Sequence, residues 1–229
     1  DSGVIGRVSG FFCRYDVDNE ADGNRLWSWR MSRAQSGTGS NGDVLSHVIS
    51  VAHFLTNSSI SRVVGDYTIV HKERADSQTA GQTKIVDNDD MVAALIHFEN
   101  GVKGHIGASR VTWGRKCGLR WEVHGTEGTI IYDQERLNEL KLFTRQDNPA
   151  TDGFRTILTG PLHEPYAAFL PNGGHSLGYM DVKICELHDL LSAIEANSQV
   201  WPSFADGLKI ERVMDAVDRS AQTNKWVDV

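Results

Sequence analysis

Hydrophobic residues recur with two different periods along this chain, and together the periods predict a protein that mixes helices with a sheet. Three segments have the spacing of an amphipathic helix: residues 43–55, a segment after Gly178 and a segment after Ser203. The first stripe should face a core. The apolar stripes are Val44, Leu45, Val48, Val51, Ala52 and Leu55; Met180, Ile184, Leu187, Leu191 and Ile194; and Ile210, Val213, Met214, Val217 and Ala221.

Strand-like patterns fill most of the remaining chain. Asn100-Gly101 should supply the positive φ angles of a tight hairpin, and residues 125–128 indicate a second turn, whereas residues 75–90 resemble a polar, flexible loop. Consecutive strands with tight turns predict a mainly antiparallel meander rather than βαβ units. The predicted strands are residues 4–15, 62–72, 91–98, 102–113, 119–124, 129–133, 139–144 and 154–159.

The strand at residues 92–98 is largely apolar on both of its faces. Each face of the sheet should therefore be covered. We expect helices on one face and a partner subunit on the other, because an exposed apolar face of several hundred Å² is an association site.

Composition and charge narrow the classes of partner. With 40% apolar and 23% charged residues, the chain has the composition of an ordinary soluble globular protein. The net charge of −7 gives no basic footprint for nucleic acid or an anionic membrane, and no apolar run is long enough to span a bilayer. Three cysteines (Cys13, Cys117 and Cys185) without a C-x-x-C pair suggest a reduced, cytoplasmic protein.

The most suggestive chemistry lies at the start of the first predicted helix. Asp43 and His47 are four residues apart, which places a carboxylate one turn before an imidazole. The carboxylate can fix the tautomer of the ring and raise its basicity, which suits proton transfer near neutral pH. The alternative is structural: Asp43 is also a good N-cap, and a histidine beside an apolar stripe is often a packing residue.

The glycine-rich segment before this helix matches the residue pattern of a nucleotide-binding fingerprint but not its structural context. Residues 37–42 (GTGSNG) fit G-x-G-x-x-G, but a polar, Arg/Trp-rich segment precedes them instead of a buried strand. Asp43 would also repel a pyrophosphate bound there. We therefore expect no cofactor-binding residues in this chain, and the absence of an H-x-x-x-H or clustered Cys/His pattern argues against a metal site.

Short motifs follow one another in a distinctive order: Gly3-Val-Ile-Gly6, Trp29-Arg30, Gly39 with Asp43 and His47, Phe98-Glu-Asn-Gly101, Ala108-Ser-Arg110, Gly125-Thr-Glu-Gly128, Gly174-His-Ser-Leu-Gly-Tyr179, Phe204-Ala-Asp-Gly207, Ser220 and Trp226-Val227. In this order and spacing they resemble the C-terminal, substrate-binding and oligomerisation half of the glucose–fructose oxidoreductase/inositol dehydrogenase (Gfo/Idh/MocA) family of NAD(P)-dependent sugar and polyol dehydrogenases. The similarity covers nearly the whole chain, as one domain over residues 1–229.

The resemblance implies an α+β fold with a large, mainly antiparallel open β-sheet and helices on one face, like the C-terminal domain of glyceraldehyde-3-phosphate dehydrogenase. In the family the other face commonly forms the subunit interface, which implies a homodimer or homotetramer. Asp43 and His47 fall on the family's Asp-x-x-x-His pair, in which the histidine transfers the proton at the substrate hydroxyl and the aspartate orients it or contacts the sugar. Many members carry an Asp three residues after that histidine, where this chain has Ser50.

Six further residues are candidate contacts for a sugar or polyol substrate. His175 and Tyr179 are candidates because they belong to the matched glycine-rich loop. The other four are candidates by residue type alone. Guanidinium and aromatic groups can bind a sugar, but they more often serve as surface packing. The six are Trp29, Arg30, Arg33, Arg110, His175 and Tyr179.

The family's N-terminal Rossmann domain has no counterpart in this sequence, which contains neither its fingerprint in context nor its Glu-Lys-Pro motif. The resemblance therefore implies that NAD or NADP is bound mainly by a missing domain and that this piece alone is inactive. Two rival hypotheses remain: a non-catalytic ligand-binding and dimerisation domain of the same fold, and a metal hydrolase or lyase that uses Asp43, His47 and His175.

Overall fold

The computed structural model describes residues 3–145 and 149–229 and is built around one large sheet. The strands are β1 Val8–Asp16, β2 Ile60–Thr68, β3 Glu73–Ala75, β4 Thr83–Ile85, β5 Met91–Phe98, β6 Lys103–Ser109, β7 Gly118–Gly125, β8 Gly128–Asp133, β9 Glu139–Thr144, β10 Arg155–Leu158 and β11 Val227–Asp228. The helices are α1 Arg33–Ser36, α2 Ser40–Asp43, α3 Leu45–Thr56, α4 Tyr179–Glu195 and α5 Phe204–Thr223.

Nine of the described strands form the main sheet, in the order β10-β9-β8-β7-β1-β6-β5-β2-β11. Only β1 and β6 run parallel within it, and all other neighbours are antiparallel. The mainly antiparallel sheet predicted from the turns is confirmed. The first strand lies between β6 and β7, so the N-terminal part of the chain enters the centre of the sheet.

Helices α3 and α5 cover one face of the sheet. Helix α3 packs on β1 and β6, and α5 packs on β2. Leu45 and Ile49 of α3 are fully buried, and Phe11 of β1 meets Phe98 of β5 edge to face at 5.9 Å between ring centroids. Full burial of such side chains contributes roughly 1.5–3 kcal/mol each. This packing fixes the orientation of α3 on the sheet.

The opposite face of the sheet is open in the single chain. Along β5, Val92 and Ile96 are buried on the helix side, whereas Leu95 on the other side is 55% exposed. In the part of the chain that the structure describes, helices therefore cover one face only. Coverage of the second face by a partner subunit stays a prediction.

Helix α4 is amphipathic, but its apolar stripe does not enter the core. Ala193 is the only buried residue of this 17-residue helix. The predicted stripe (Met180, Ile184, Leu187, Leu191 and Ile194) is 51–70% exposed. None of the helices in residues 3–145 and 149–229 combines the length and the apolar character needed to cross a membrane.

The start of the first predicted helix differs from the expectation. Ser40–Asp43 forms a separate helical turn, α2, and α3 begins at Leu45 after Val44. Asp43 is the last residue of α2 and does not cap α3, so its interpretation as an N-cap was wrong. Its carboxylate is consequently free of a structural role at that helix terminus.

Several loop predictions also change. The predicted hairpin turn has positive φ at Gly101 (+85°) but not at Asn100, because the tight turn spans Phe98–Gly101. Strand β1 begins at Val8 instead of residue 4, since Gly3 and Gly6 form a turn with positive φ. Within residues 75–90, the polar segment predicted as flexible, Asn88, Asp89 and Asp90 are buried.

Gly39 and Gly207 give a matched pair of stability tests. A Cβ at Gly39 would lie 1.9 Å from the backbone oxygen of Asp89, so Gly39→Ala should lower the free energy of unfolding by roughly 1–3 kcal/mol. A Cβ at Gly207 in α5 meets nothing within 4 Å, so Gly207→Ala should raise it by about 0.5–1 kcal/mol. Urea unfolding measures both, and a Gly39→Ala protein as stable as wild type would contradict the tight approach.

Candidate active site

Asp43 and His47 lie at the mouth of one polar cleft. The cleft has a volume of about 440 Å³ and opens between β1, the segment after it, and the start of α3. Both side chains are exposed on its rim. The lining residues are Tyr15, Val17, Asn19, Glu20, Arg25, Arg30, Asp43, Val44, His47 and Arg110.

His47 is mounted on the rigid part of α3. Its neighbours Leu45, Val48 and Ile49 are fully buried, so the helix cannot rotate without opening the core. Within the described residues no hydrogen bond or ion pair joins Asp43 to His47, although both face the cleft. The packing partner of the imidazole is instead the ring of Tyr15, edge-on at 5.6 Å between centroids. A direct carboxylate–imidazole contact, inferred from the spacing, is therefore not formed here.

Tyr15 is a cleft residue that sequence reasoning missed. Its hydroxyl lies 3.2 Å from Sγ of Cys117, and Gln134 Nε2 donates to the same sulfur at 2.7 Å. Burial, followed by contact with Cys117 and the nearby charges of Tyr179 and Asp43, raises the pKa of Tyr15 well above its ordinary value. The phenol therefore stays protonated and presents a neutral edge to His47. Its position at the polar end of an aromatic strand was the only available sequence signal.

The floor of the cleft is held by a buried guanidinium. Arg110 is 6% exposed and donates to Asp90 Oδ1 at 2.9 Å, to Asn88 Oδ1 at 2.8 Å and to the carbonyl of Arg30 at 3.2 Å. These bonds engage all three guanidinium nitrogens. Arg110 therefore shapes the cleft, because each of its three nitrogens donates to a protein group, and a contact with substrate stays a prediction.

The other two arginines predicted as substrate contacts, Arg30 and Arg33, lie in different places. Arg30 lines the cleft, and its guanidinium lies 4.7 Å from the ring centre of Trp29. Trp29 itself lines a different cavity, together with Trp27. Arg33 lies elsewhere, in an ion pair with Asp218 of α5 at 2.5 Å. Arg33 connects two elements of the fold and is not a cleft residue.

The glycine-rich loop of α4 is not brought into the cleft. His175 is exposed in the segment before α4 and lines neither the cleft nor its neighbour, so a metal set of Asp43, His47 and His175 is not assembled. Within the described residues no cluster of three His, Cys, Asp or Glu side chains is arranged to hold a metal. Tyr179 lines an adjacent apolar groove on the same side as Tyr15.

The G-x-G-x-x-G segment is occupied by a carboxylate of the chain itself. The backbone N–H groups of Gly39 and Asn41 each donate to the carboxylate of Asp89 at 2.7 Å. Burial raises the pKa of Asp89, and these two donors oppose that shift. The amides that could bind a pyrophosphate are already used, so these residues do not fit a dinucleotide.

Known proteins match both the sequence and the structure. The family model described as GFO/IDH/MocA C-terminal domain matches residues 1–131. Levoglucosan dehydrogenase of Pseudarthrobacter phenanthrenivorans is 37% identical over 240 residues, an alignment that covers 100% of this chain and 61% of that protein.

Solved structures agree with this match. Levoglucosan dehydrogenase in complex with NADH and L-sorbose has a TM-score of 0.94 at 38% identity, covering 99% of this chain and 60% of that chain. An NAD binding oxidoreductase from Klebsiella pneumoniae gives 0.93 at 38% identity, with the same coverages. The chain thus spans about three fifths of the length of these relatives.

Arg110 and Arg30 provide a test of the two arginine roles. Arg110→Gln leaves the buried carboxylate of Asp90 without its cationic partner and should lower the free energy of unfolding by roughly 3–5 kcal/mol. Arg30→Gln removes an exposed stacking contact with Trp29 and should cost only about 0.5–1 kcal/mol. Denaturant titration of both variants measures the two losses in the free energy of unfolding. Equal losses would mean that the Arg110 network contributes no more than a surface contact.

Proposed function

This chain belongs to the GFO/IDH/MocA family as its C-terminal domain, and we propose that it is the substrate-binding part of an NAD-dependent sugar dehydrogenase. The observation that carries the proposal is the position of His47 on a rigid helix at the mouth of a polar cleft. A secondary alcohol is oxidised by removal of one hydride and one proton, and a positioned imidazole suits the proton.

The cleft residues have separate tasks in this proposal. His47 accepts the proton of the substrate hydroxyl, and Asp43, on the same rim, binds a neighbouring hydroxyl or stabilises the imidazolium by its charge. Arg30 on Trp29 offers donors to ring oxygens of the sugar. Tyr15 holds the plane of the imidazole through its edge contact.

The hydride acceptor would be held by a part of the protein outside this chain. The described residues do not fit a dinucleotide, because Asp89 engages the amides of the glycine-rich loop. Relatives of greater length include structures named as complexes with NADH, which favours NAD over NADP. The exposed apolar stripe of α4 is a suitable contact for the additional part that these relatives possess.

His47 is tested in the full-length enzyme, with oxidation of levoglucosan and other sugars followed as NADH formation. His47→Ala should lower kcat by about 10²–10⁴-fold, because a positioned general base is lost. The acidic limb of the pH–rate profile, where a base becomes protonated, should disappear in this variant. A variant that retains most of its kcat would favour the rival hypothesis of a packing residue in a non-catalytic binding domain.

Ser50→Ala is the matched control for this experiment. Ser50 lies one turn beyond His47 on α3 but lines a different cavity, together with His53 and Phe54. Its kcat should stay within about 2-fold of wild type, as for substitutions away from the chemistry. A large loss in Ser50→Ala would extend the site along α3.

We extend the proposal to self-association through the open face of the sheet. Leu95 lies on this face between Val64 of β2 and His105 of β6, on the third strand from the β11 edge, and 55% of its surface is exposed. Asp16, Arg14 and Arg120 form a charged cluster on the central strands β1 and β7. The uncovered apolar surface around Leu95 suits a homo-oligomer interface.

Leu95→Arg should weaken this assembly, because a charge would be desolvated within the interface. Sedimentation at micromolar concentration should give an oligomer for wild type and a shift toward monomer for Leu95→Arg. Leu162→Arg is the control, since Leu162 is 95% exposed in a loop away from the sheet face. A wild-type protein that sediments as a monomer would refute the proposal.

A further inference from the structure

A second cavity, here called the aromatic groove, adjoins the polar cleft. Its floor is one row of side chains that runs across four strands: Trp121 of β7 lies opposite Tyr132, Tyr132 opposite Leu140, and Leu140 opposite Ile157. The indole of Trp121 stacks on the ring of Tyr132 at 5.4 Å and 29°. The groove has a volume of about 420 Å³.

The walls of the groove are fixed by hydrogen bonds. Asn138, between β8 and β9, accepts from the backbone N–H of Leu177 at 2.8 Å and donates to its carbonyl at 3.0 Å. The same side chain accepts from Thr159 Oγ1 at 2.8 Å. Tyr166 and Tyr179 complete the aromatic wall. The groove is therefore preformed rather than a chance gap between loops.

The groove and the cleft share a boundary. Tyr15 lines the cleft and Gln134 lines the groove, and the two side chains meet at the sulfur of Cys117. Tyr179, on the groove side, is close enough to Tyr15 to influence its pKa. The cleft in front of His47 and the groove are therefore separated by the contact of Tyr15 and Gln134 with Cys117.

The two cavities differ in chemistry. The cleft is lined by charged groups such as Asp43, Arg30 and Glu20, whereas the groove is lined mainly by aromatic and aliphatic side chains. Burial raises the pKa of Tyr132 to about 12, so its ring remains neutral. Each volume lies within the roughly 300–1,000 Å³ of small-molecule sites. A polyhydroxylated ring suits the first cavity, and a ring with an apolar face suits the second.

We propose that the substrate is a glycoside whose oxidised ring sits before His47 and whose second ring, a sugar or an aromatic aglycone, stacks on Trp121 and Tyr132. This inference rests on the proposed sugar dehydrogenase function. It assigns the selection of the larger substrate to Trp121, whose indole ring is the main surface on which the second ring stacks.

The test compares methyl and phenyl β-D-glucopyranoside as substrates of the full-length enzyme with NAD. The phenyl glycoside should have a kcat/KM about tenfold higher than the methyl glycoside, because only its aglycone reaches the indole ring of Trp121. Trp121→Ala should abolish this preference, lowering kcat/KM of the phenyl glycoside about tenfold more than that of the methyl glycoside. Trp121→Phe, which keeps an aromatic ring, should retain most of the preference.

Trp113→Ala is the matched control, since Trp113 is 69% exposed and outside the groove. It should preserve the preference of wild type. Equal kcat/KM values for the two glycosides in wild type, or an equal loss for both in Trp121→Ala, would overturn the inference.

A binding measurement keeps the inference separate from the proposed activity. Calorimetric titration of the full-length protein with both glycosides should give tighter binding of the phenyl compound, and Trp121→Ala should remove that difference. If this binding preference is observed while no sugar is oxidised, the proposed dehydrogenase function is wrong but the assignment of the groove as a binding site is supported. If neither compound binds preferentially and Trp121→Ala instead dissociates an oligomer, the groove is an interface between copies and the inference is wrong.

Discussion

The arrangement of the cleft depends on a buried polar knot formed by three consecutive residues, Asn88, Asp89 and Asp90. A buried carboxylate is tolerated only where donors surround it, and here the donors come from distant parts of the chain. Asp89 binds the amides of α2, and Asp90 binds Arg110 together with the amide of Val70. Removal of any one partner would leave another buried group unsatisfied, so the knot acts as a unit.

This knot determines where the candidate base lies. It ties the segment from Arg30 to α2 onto the start of β5, and α2 leads directly into α3. The position of Asp43 and His47 above the sheet therefore follows from hydrogen bonds of Asn88, Asp89 and Asp90, none of which lines the cleft. The packing of α3 on the sheet fixes the orientation of His47, and the knot fixes its location.

The molecule also has apolar surfaces that a single chain leaves uncovered. Leu95 on the sheet and Leu187 on α4 are more than half exposed, although their periodic patterns resemble those of core residues. Exposed apolar area of this kind is typical of contacts with other protein parts. It agrees with a chain that spans three fifths of the length of its relatives. The aromatic groove differs from these surfaces, because hydrogen bonds between Asn138 and the backbone of Leu177 fix its wall within the single chain.

The sequence by itself determined the elements whose causes are local. The stripe of α5, the limits of β9 and the mainly antiparallel order follow from periodicity and turn residues, and the ordered motifs identified the GFO/IDH/MocA family. Tertiary structure alone decided the partners. Arg110, Arg33 and Tyr15 have the residue types of ligand contacts, but their roles depend on Asp90, Asp218 and Cys117. Arg33 and Asp218 are 185 residues apart in sequence. A residue's type fixes what it can bind, whereas the packing of distant segments fixes what lies within its reach.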